Sequence, residues 1–243
     1  MKLKVFAMIC VLLMYSICFA KVKGLCSNCH TMHYSQHPTP DYWGESGPYR
    51  ALTISNCVGC HKSNGSNTIV YLGLETSSSR VPIVWNTQEP NYSNNENNET
   101  LAGGNFYWVT QDQNKGHNIL GMSADTNLTT PPGFDNSLSD YEGNVVGGGS
   151  WPEGTQVRCA GKYGCHGHHN EDNQTEAIYT AHHEEDSTID GSTIGKSYRF
   201  LIGVKGIEDS DWEYKPTSSK HNQYYGIDRI DGNFPNKQTI SYL

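Results

Sequence analysis

The sequence predicts a mostly irregular fold with short helices and a few short β-strands, because it offers little material for a conventional core. Hydrophobic residues make up 35% of the 243 residues, while 25 glycines and 10 prolines interrupt regular periodicity. The stretch 86–104 consists mostly of Asn, Glu, Thr, Pro and Gly. Such a chain needs another source of apolar surface to become compact.

The N-terminus has the pattern of an export signal. Lys2 and Lys4 precede an apolar run, and Ala20 ends a plausible cleavage site before Lys21. The alternative is a membrane anchor, but the run is shorter than the roughly 20 apolar residues that span a bilayer. We therefore expect residues 1–20 to be a signal peptide, no membrane span after its removal, and export to the periplasm or the cell exterior.

The charge balance excludes some classes of partner. The formal net charge is −8, and removal of Lys2 and Lys4 leaves 15 basic against 25 acidic residues, or −10. A surface of this sign disfavours binding to nucleic acid and to anionic lipid.

The cysteines indicate the missing apolar component. Six cysteines follow the signal, and four of them form two complete C-x-x-C-H motifs, Cys26-Ser-Asn-Cys29-His30 and Cys57-Val-Gly-Cys60-His61. This spacing is the one that haem attachment requires. The two thiols add to the vinyl groups of haem, and the next histidine lies beneath the iron. A zinc site of four thiolates and a thioredoxin-type redox pair are the alternatives. Neither explains a histidine after both pairs, so we expect haem c at each motif.

The remaining pair is looser. Cys159 and Cys165 enclose five residues, but His166 follows the second cysteine as in the other motifs. Gly161 and Gly164 would allow the longer loop to bulge, so that both sulfurs reach one haem. The alternative is a disulfide between the two cysteines. We expect three haems in total, each covalently bound.

The other face of each iron needs a second ligand. After the signal the chain has only Met32 and Met122, and Met32 is too close to His30 to reach the opposite face. We therefore expect bis-histidine haems of low potential. His33 lies one helical turn after His30, so as a ligand it would serve a neighbouring haem; otherwise it is a surface histidine.

Several further histidines are candidates for this role. His117 follows an apolar run, and His221 follows a polar loop. Of the adjacent His182 and His183, one could bind iron while the other forms a hydrogen bond or faces solvent. The least favoured histidines are His37, His168 and His169.

The chain is expected to form a single domain over 21–243. It comprises a dihaem segment (21–75), a loop and strand segment (76–150) and a third-haem segment with a strand (151–243). Short helical turns are expected at each Cys-His. Strands are expected at Val81–Trp85, Asn105–Thr110 and Ser197–Val204.

Longer strings support a family resemblance. They are Gly-Leu-Cys-Ser-Asn-Cys-His-Thr-Met-His at 24–33, Ala-Gly-Gly-Asn-Phe-Tyr-Trp-Val at 102–109, Lys-Gly-His-Asn at 115–118, Cys-Ala-Gly…Gly-Cys-His-Gly at 159–167, Ala-His-His at 181–183 and Ser-Tyr-Arg-Phe-Leu at 197–201. Together they resemble multihaem c-type cytochromes of metal- and sulfur-respiring microbes, some of which polymerise into conducting filaments. The resemblance implies electron transfer through stacked haems, with redox proteins or other cytochromes as partners.

The same resemblance implies distal ligands at His33, His117, one of His182 and His183, and His221. It also implies self-assembly in which a histidine of one subunit binds a haem of the next. Similar proteins continue into a further C-x-x-C-H, so a fourth haem is expected only in longer relatives. An electron carrier without enzymatic activity is the leading interpretation. A filament subunit is the first alternative, and a multihaem reductase with one open iron is the second.

Overall fold

The computed structural model describes the parts of the chain that carry all three cysteine pairs. The described residues are 22, 24–32, 48–65, 68–72, 79–89, 101, 103–112, 115–117, 119, 135–139, 145–146, 156–184, 187–209, 217–219, 221–225 and 240. The expected signal peptide, His33, His37 and Met122 lie outside them. Within the described part, no helix has the length and apolar character needed to cross a membrane.

The described helices are short, as the sequence predicts. Two α-helical turns occur, α1 at Cys57–Cys60 and α2 at Gln174–Ala177. Asparagine caps both: the side chain of Asn56 accepts from Gly59 N–H, and that of Asn173 accepts from the amides of Thr175 and Glu176. The 3₁₀ turns lie at Cys26–Asn28, Arg50–Leu52, Phe106–Thr110, Ala181–His183 and Tyr198–Phe200.

The described strands pair only two by two. The strands are β1 (Lys62–Ser63), β2 (Ile69–Leu72), β3 (Ser79–Pro82), β4 (Trp85–Asn86), β5 (Asp135–Ser139), β6 (Val145–Val146), β7 (Arg158–Ala160), β8 (Gly164–His166), β9 (Gly206–Ile207) and β10 (Gln223–Tyr224). The pairs β1–β4 and β7–β8 are parallel, whereas β2–β3, β5–β6 and β9–β10 are antiparallel. The prediction of low regular structure is therefore confirmed.

Two small apolar clusters lie beside candidate cysteines. The first contains Val58, Phe106, Ile119 and Val157, with Val84, Trp85 and Cys159 packed against it. The second contains Tyr198, Leu201 and Val204, with Cys165, Ile189 and Ile240 packed against it. Because the cysteines of the third pair contact different clusters, the loop between them joins the two.

The strand predicted at Asn105–Thr110 is wrong. A 3₁₀ turn occupies Phe106–Thr110, and the side-chain oxygen of Asn105 caps it by accepting from Tyr107 N–H at 3.2 Å. Phe106 and Val109, three residues apart, are the buried members. The burial period is therefore that of a turn rather than the period of two expected for a strand.

The strand predicted at Ser197–Val204 is also wrong. The chain there folds back on itself: Tyr198 N–H donates to Val204 O, and Val204 N–H donates to Leu201 O. A 3₁₀ turn spans Tyr198–Phe200 instead. Local β propensity is overridden because a backbone carbonyl in this turn accepts a hydrogen bond from His166.

Two other element predictions hold only in part. The segment Val81–Trp85 is split, because β3 ends at Pro82 and β4 begins at Trp85. Pro82 has no N–H to extend a ladder. Helical turns occur at the first two cysteine motifs, but the third Cys-His lies in strand β8, since the longer loop pairs back on β7.

Candidate functional site

Site 1 is the group Cys26, Cys29 and His30. A single 3₁₀ turn brings them together, and His30 N–H donates to Cys26 O at 2.8 Å. The side-chain Nδ1 of His30 lies 2.8 Å from the carbonyl oxygen of Ala51. A carbonyl can only accept, so Nδ1 carries the proton, and in the neutral imidazole the lone pair is then on Nε2.

Site 2 is the group Cys57, Cys60 and His61. Helix α1 sets both cysteines one turn apart, and His61 follows at its C-terminus. His61 Nδ1–H donates to the carbonyl of Pro82 at 2.8 Å. Burial lowers the pKa of His61, so its imidazole is held in the neutral form.

Site 3 is the group Cys159, Cys165 and His166. The pairing of β7 with β8 brackets the two cysteines, with Ala160 opposite His166. Glycine is required in the loop: a Cβ at Gly161, where φ is +88°, would lie 2.5 Å from Glu171 O, and one at Gly164 would lie 2.6 Å from the Ala160 backbone. The five-residue spacing is therefore accommodated as a compact bulge.

The histidine of site 3 is held as in the other sites. His166 Nδ1–H donates to the carbonyl of Arg199 at 2.7 Å. Burial lowers the pKa of His166 to about 4, and the charges of His61, Arg199 and His117 contribute in the same direction. Sites 2 and 3 are therefore near one another.

One arrangement is thus repeated at all three sites. Each candidate proximal histidine donates from Nδ1 to a backbone carbonyl that is 21, 21 or 33 residues away in the chain. Metal-binding histidines almost always carry this outer hydrogen bond, which fixes the tautomer and the ring plane and raises ligand basicity. The three imidazoles are therefore prepared to bind a metal through Nε2.

The six cysteines are free thiols. Burial raises the pKa of Cys29 and of Cys165, and raises that of Cys60 to about 12. A hydrogen bond with Cys57, followed by burial, raises the pKa of Cys159. Redox-active C-x-x-C pairs have a lowered thiol pKa, so the thioredoxin-type interpretation has no support here. The disulfide considered for Cys159 and Cys165 is not formed.

The thiols of different motifs are close enough to interact. The nearby thiols of Cys29 and Cys57 contribute to the raised pKa of Cys60, and the side chains of Cys57 and Cys159 share a hydrogen bond. Site 2 therefore lies beside site 1 and beside site 3. Among the described residues, no group of three or more His, Cys, Asp or Glu side chains is arranged to hold a metal ion.

Two adjacent histidines face two different sites. His183 lies beside His30, with ring centroids 5.9 Å apart and planes 23° apart. His182 lies beside His61, with centroids 6.5 Å apart and planes 39° apart. The 3₁₀ turn Ala181–His183 carries both rings. Both rings therefore lie beside a candidate proximal histidine, because the tight turn directs consecutive side chains to different neighbours, and which of the two binds iron stays a prediction.

The remaining candidates differ in their placement. His117 stacks on Phe106 at 6.0 Å, and burial lowers its pKa. The charge of His117 contributes to the lowered pKa of His166, so His117 lies near site 3. His221 donates from Nδ1 to the carbonyl of the adjacent Asn222 at 3.0 Å, and among the described residues no ring contact joins it to a proximal histidine.

Sequence reasoning missed the three acceptor carbonyls of Ala51, Pro82 and Arg199. Backbone oxygens have no signature in residue type. The string Tyr-Arg-x-Leu occurs at 49–52 and at 198–201, but the acceptor is its third residue in the first copy and its second residue in the other, so the string does not mark the acceptor.

These residues fit the haem that the motifs imply. A second imidazole lies beside His30 and beside His61, with ring centroids 5.9 and 6.5 Å apart, and would complete a pair of histidines at an iron bound there. Two buried donors next to the motifs, Asn28 Nδ2 and Arg158 Nε, have no hydrogen-bond partner. A carboxylate of the cofactor would satisfy such donors.

Comparisons of the chain with protein-family models, with curated proteins and with solved structures find no match.

Proposed function

We propose that this protein is a multihaem c-type cytochrome that transfers electrons through three closely packed haems. The observation that carries the proposal is the pairing of His30 with His183 and of His61 with His182, with ring centroids 5.9 and 6.5 Å apart. In each pair the proximal ring is fixed by its Nδ1 bond to a carbonyl. His183 and His182 would supply the second imidazole to an iron held by His30 and by His61, respectively.

When bound, the haem iron supplies one-electron chemistry by changing between the ferric and ferrous states. The chain's own groups do the remaining work. The thiols at each site anchor the group covalently, which retains it in a protein whose apolar clusters are small. Two neutral imidazoles per iron favour low potentials, since no methionine ligand raises them.

The adjacent histidines also set the distance between sites 1 and 2. Because His182 and His183 are consecutive, the two irons that they would bind are held close together by one rigid turn. The hydrogen bond from Val22 N–H to His182 O, 3.0 Å long, ties this turn to the beginning of the first segment. Electrons would then enter from one redox protein and leave to another, with no substrate bound at iron.

Export to the periplasm or the cell exterior belongs to the same proposal, because covalent haem attachment and the N-terminal pattern point to that compartment. Transient docking of redox partners would use the exposed edges of the sites. Site 1 is the most accessible, since Cys26 is exposed and Leu25 and Met32 beside it are about two-thirds exposed.

Haem content tests the proposal most directly. The full-length chain is expressed in a host that exports and matures c-type cytochromes, and intact mass and pyridine haemochrome absorbance give the number of haems. We expect three, and one fewer for each of the double variants Cys26→Ser/Cys29→Ser, Cys57→Ser/Cys60→Ser and Cys159→Ser/Cys165→Ser. Bound zinc without haem, or an unchanged haem count in all three variants, would overturn the proposal.

A further inference from the structure

Backbone strain in the described residues is concentrated at the candidate sites. Five non-glycine residues have φ in the left-handed region: Ala51 at 61°, Leu52 at 56°, Thr180 at 71°, Arg199 at 48° and Phe200 at 59°. Thr180 precedes the turn that carries His182 and His183. The other four are two consecutive pairs, and the first residue of each pair is the acceptor for a proximal histidine. Strained conformations of this kind persist where surrounding structure enforces them, often at functional sites.

The two pairs make the same two hydrogen bonds. At site 1, Ala51 O accepts from His30 Nδ1–H at 2.8 Å, and Leu52 O accepts from Thr31 N–H at 2.7 Å. At site 3, Arg199 O accepts from His166 Nδ1–H at 2.7 Å, and Phe200 O accepts from Gly167 N–H at 2.8 Å. In each case two successive carbonyls hold the histidine side chain and the next backbone amide.

The left-handed conformation explains how one segment offers both carbonyls. In an extended strand, successive carbonyls point to opposite sides, so a strand cannot present two in a row to one partner. Two consecutive left-handed residues turn both carbonyls toward the same side. The conformation is unfavourable for residues with a Cβ, yet none of the four positions is glycine.

Site 2 lacks this arrangement and serves as an internal comparison. His61 Nδ1–H donates to Pro82 O at the end of an ordinary strand, and His61 O accepts from Val84 N–H. Neither Pro82 nor Ile83 has a positive φ. The hydrogen bond to the imidazole is therefore made in two different ways within one chain.

We propose that the left-handed pairs Ala51-Leu52 and Arg199-Phe200 are positioning devices that fix the plane and the Nδ1–H tautomer of His30 and His166. By accepting from Nδ1–H they raise the donor strength of these two imidazoles. Stronger donation stabilises ferric iron, so each pair lowers the reduction potential of its own haem. The proposal rests on haem binding at these sites.

Ala51 is the best position for a test because its side chain is exposed. Ala51→Gly keeps the left-handed conformation without penalty. Ala51→Pro fixes φ near −65° and therefore removes it. Ala51→Val keeps the N–H but is β-branched, which makes positive φ highly unfavourable; it replaces the proline variant if that variant does not mature.

The measurement is a spectroelectrochemical titration of the haem-loaded protein, which gives its three midpoint potentials. With Ala51→Pro or Ala51→Val we expect one potential to rise by about 59 mV, which corresponds to a tenfold weaker preference of the ligand set for ferric iron in a one-electron couple. With Ala51→Gly we expect no change. Arg199→Val and Arg199→Gly both remove the charge that acts on His166, so they are compared with each other, and the potential of the site 3 haem should be higher in Arg199→Val by about 59 mV. The potential of site 2 should stay constant in the Ala51 variants.

Failure of the proposed function and failure of the role of the left-handed pairs would give different results. A wild-type protein without haem would refute the proposed function. A protein with three haems whose potentials are the same in Ala51→Pro, Ala51→Val and Ala51→Gly would refute only the role of the left-handed pairs. A shift of equal size in the glycine variant would also refute it, because glycine keeps the left-handed conformation and the effect would then not depend on that conformation.

Discussion

Replacing His182 or His183 by alanine should remove the second axial ligand from two different haem irons. His183 lies beside His30 and His182 lies beside His61, with ring centroids 5.9 and 6.5 Å apart. Each single alanine variant therefore removes one of six axial imidazoles, and about one third of the haem should become high-spin. The double variant should reach two thirds, because the two pairs are separate.

The assay is low-temperature EPR of the oxidised protein, with carbon monoxide binding to the reduced protein as a second readout. His168→Ala is the matched control, because His168 is exposed and lies in the same segment. His182→Met adds a sharper comparison: it replaces one axial ligand by another, so site 2 should remain low-spin with a raised potential. His182 also packs on Phe200 at 5.0 Å, and Met fills more of that space than Ala.

The outcome that would refute this reasoning is specific. If His182→Ala and His183→Ala left all three haems low-spin, the ligands would have to come from other histidines, such as His33 or His221. If both variants opened the same haem, the assignment of one ring to each site would be wrong. Haem loss from the control would mean that the segment tolerates no substitution.

Three further predictions concern stability. Val58→Ala should lower the free energy of unfolding by about 2 kcal/mol in urea denaturation, since Val58 is 1% exposed in the first apolar cluster; Leu25→Ala, at a residue 70% exposed, should have little effect. Gly167→Ala should cost about 2 kcal/mol or more in thermal unfolding, because φ is +74° and the new Cβ would lie 2.2 Å from Ala177 O; an unchanged melting temperature would contradict this. In the haem-free protein, burial holds the pKa of His166 at about 4, below its ordinary 6.5, so the unfolded chain takes up a proton in this window that the folded chain does not. The free energy of unfolding should therefore fall as pH falls from 6.5 toward 4, by at most about 1.4 kcal/mol per pH unit from this residue, and denaturation curves that do not weaken on acidification would contradict it.

The local motifs were predictable because their chemistry is local. The spacing of Cys26, Cys29 and His30 within one turn is fixed by the backbone, and no distant residue is needed to bring them together. The same holds for the capped helix at the second motif. The glycines between Cys159 and Cys165 were also readable, because a compact bulge requires positive φ and close backbone approach.

Element types were predictable only where tertiary contacts agreed with local preference. Ser197–Val204 has the composition of a strand. However, Arg199 O accepts a hydrogen bond from His166 Nδ1–H, and the hydroxyl of Ser197 donates to Thr193 O at 2.5 Å. These long-range and side-chain bonds favour a folded-back turn. The capping side chain of Asn105 has the same effect on the segment that follows it.

The sequence by itself determined the low regular structure, the three Cys-His groups and the residue types available as second ligands. Tertiary structure alone decided which histidines meet, since His30 and His183 are far apart in the chain and their ring contact depends on how the third segment folds over the first. It also decided which carbonyls hold the proximal rings, because a backbone oxygen is the same group in every residue. Its role is set by where the chain places it.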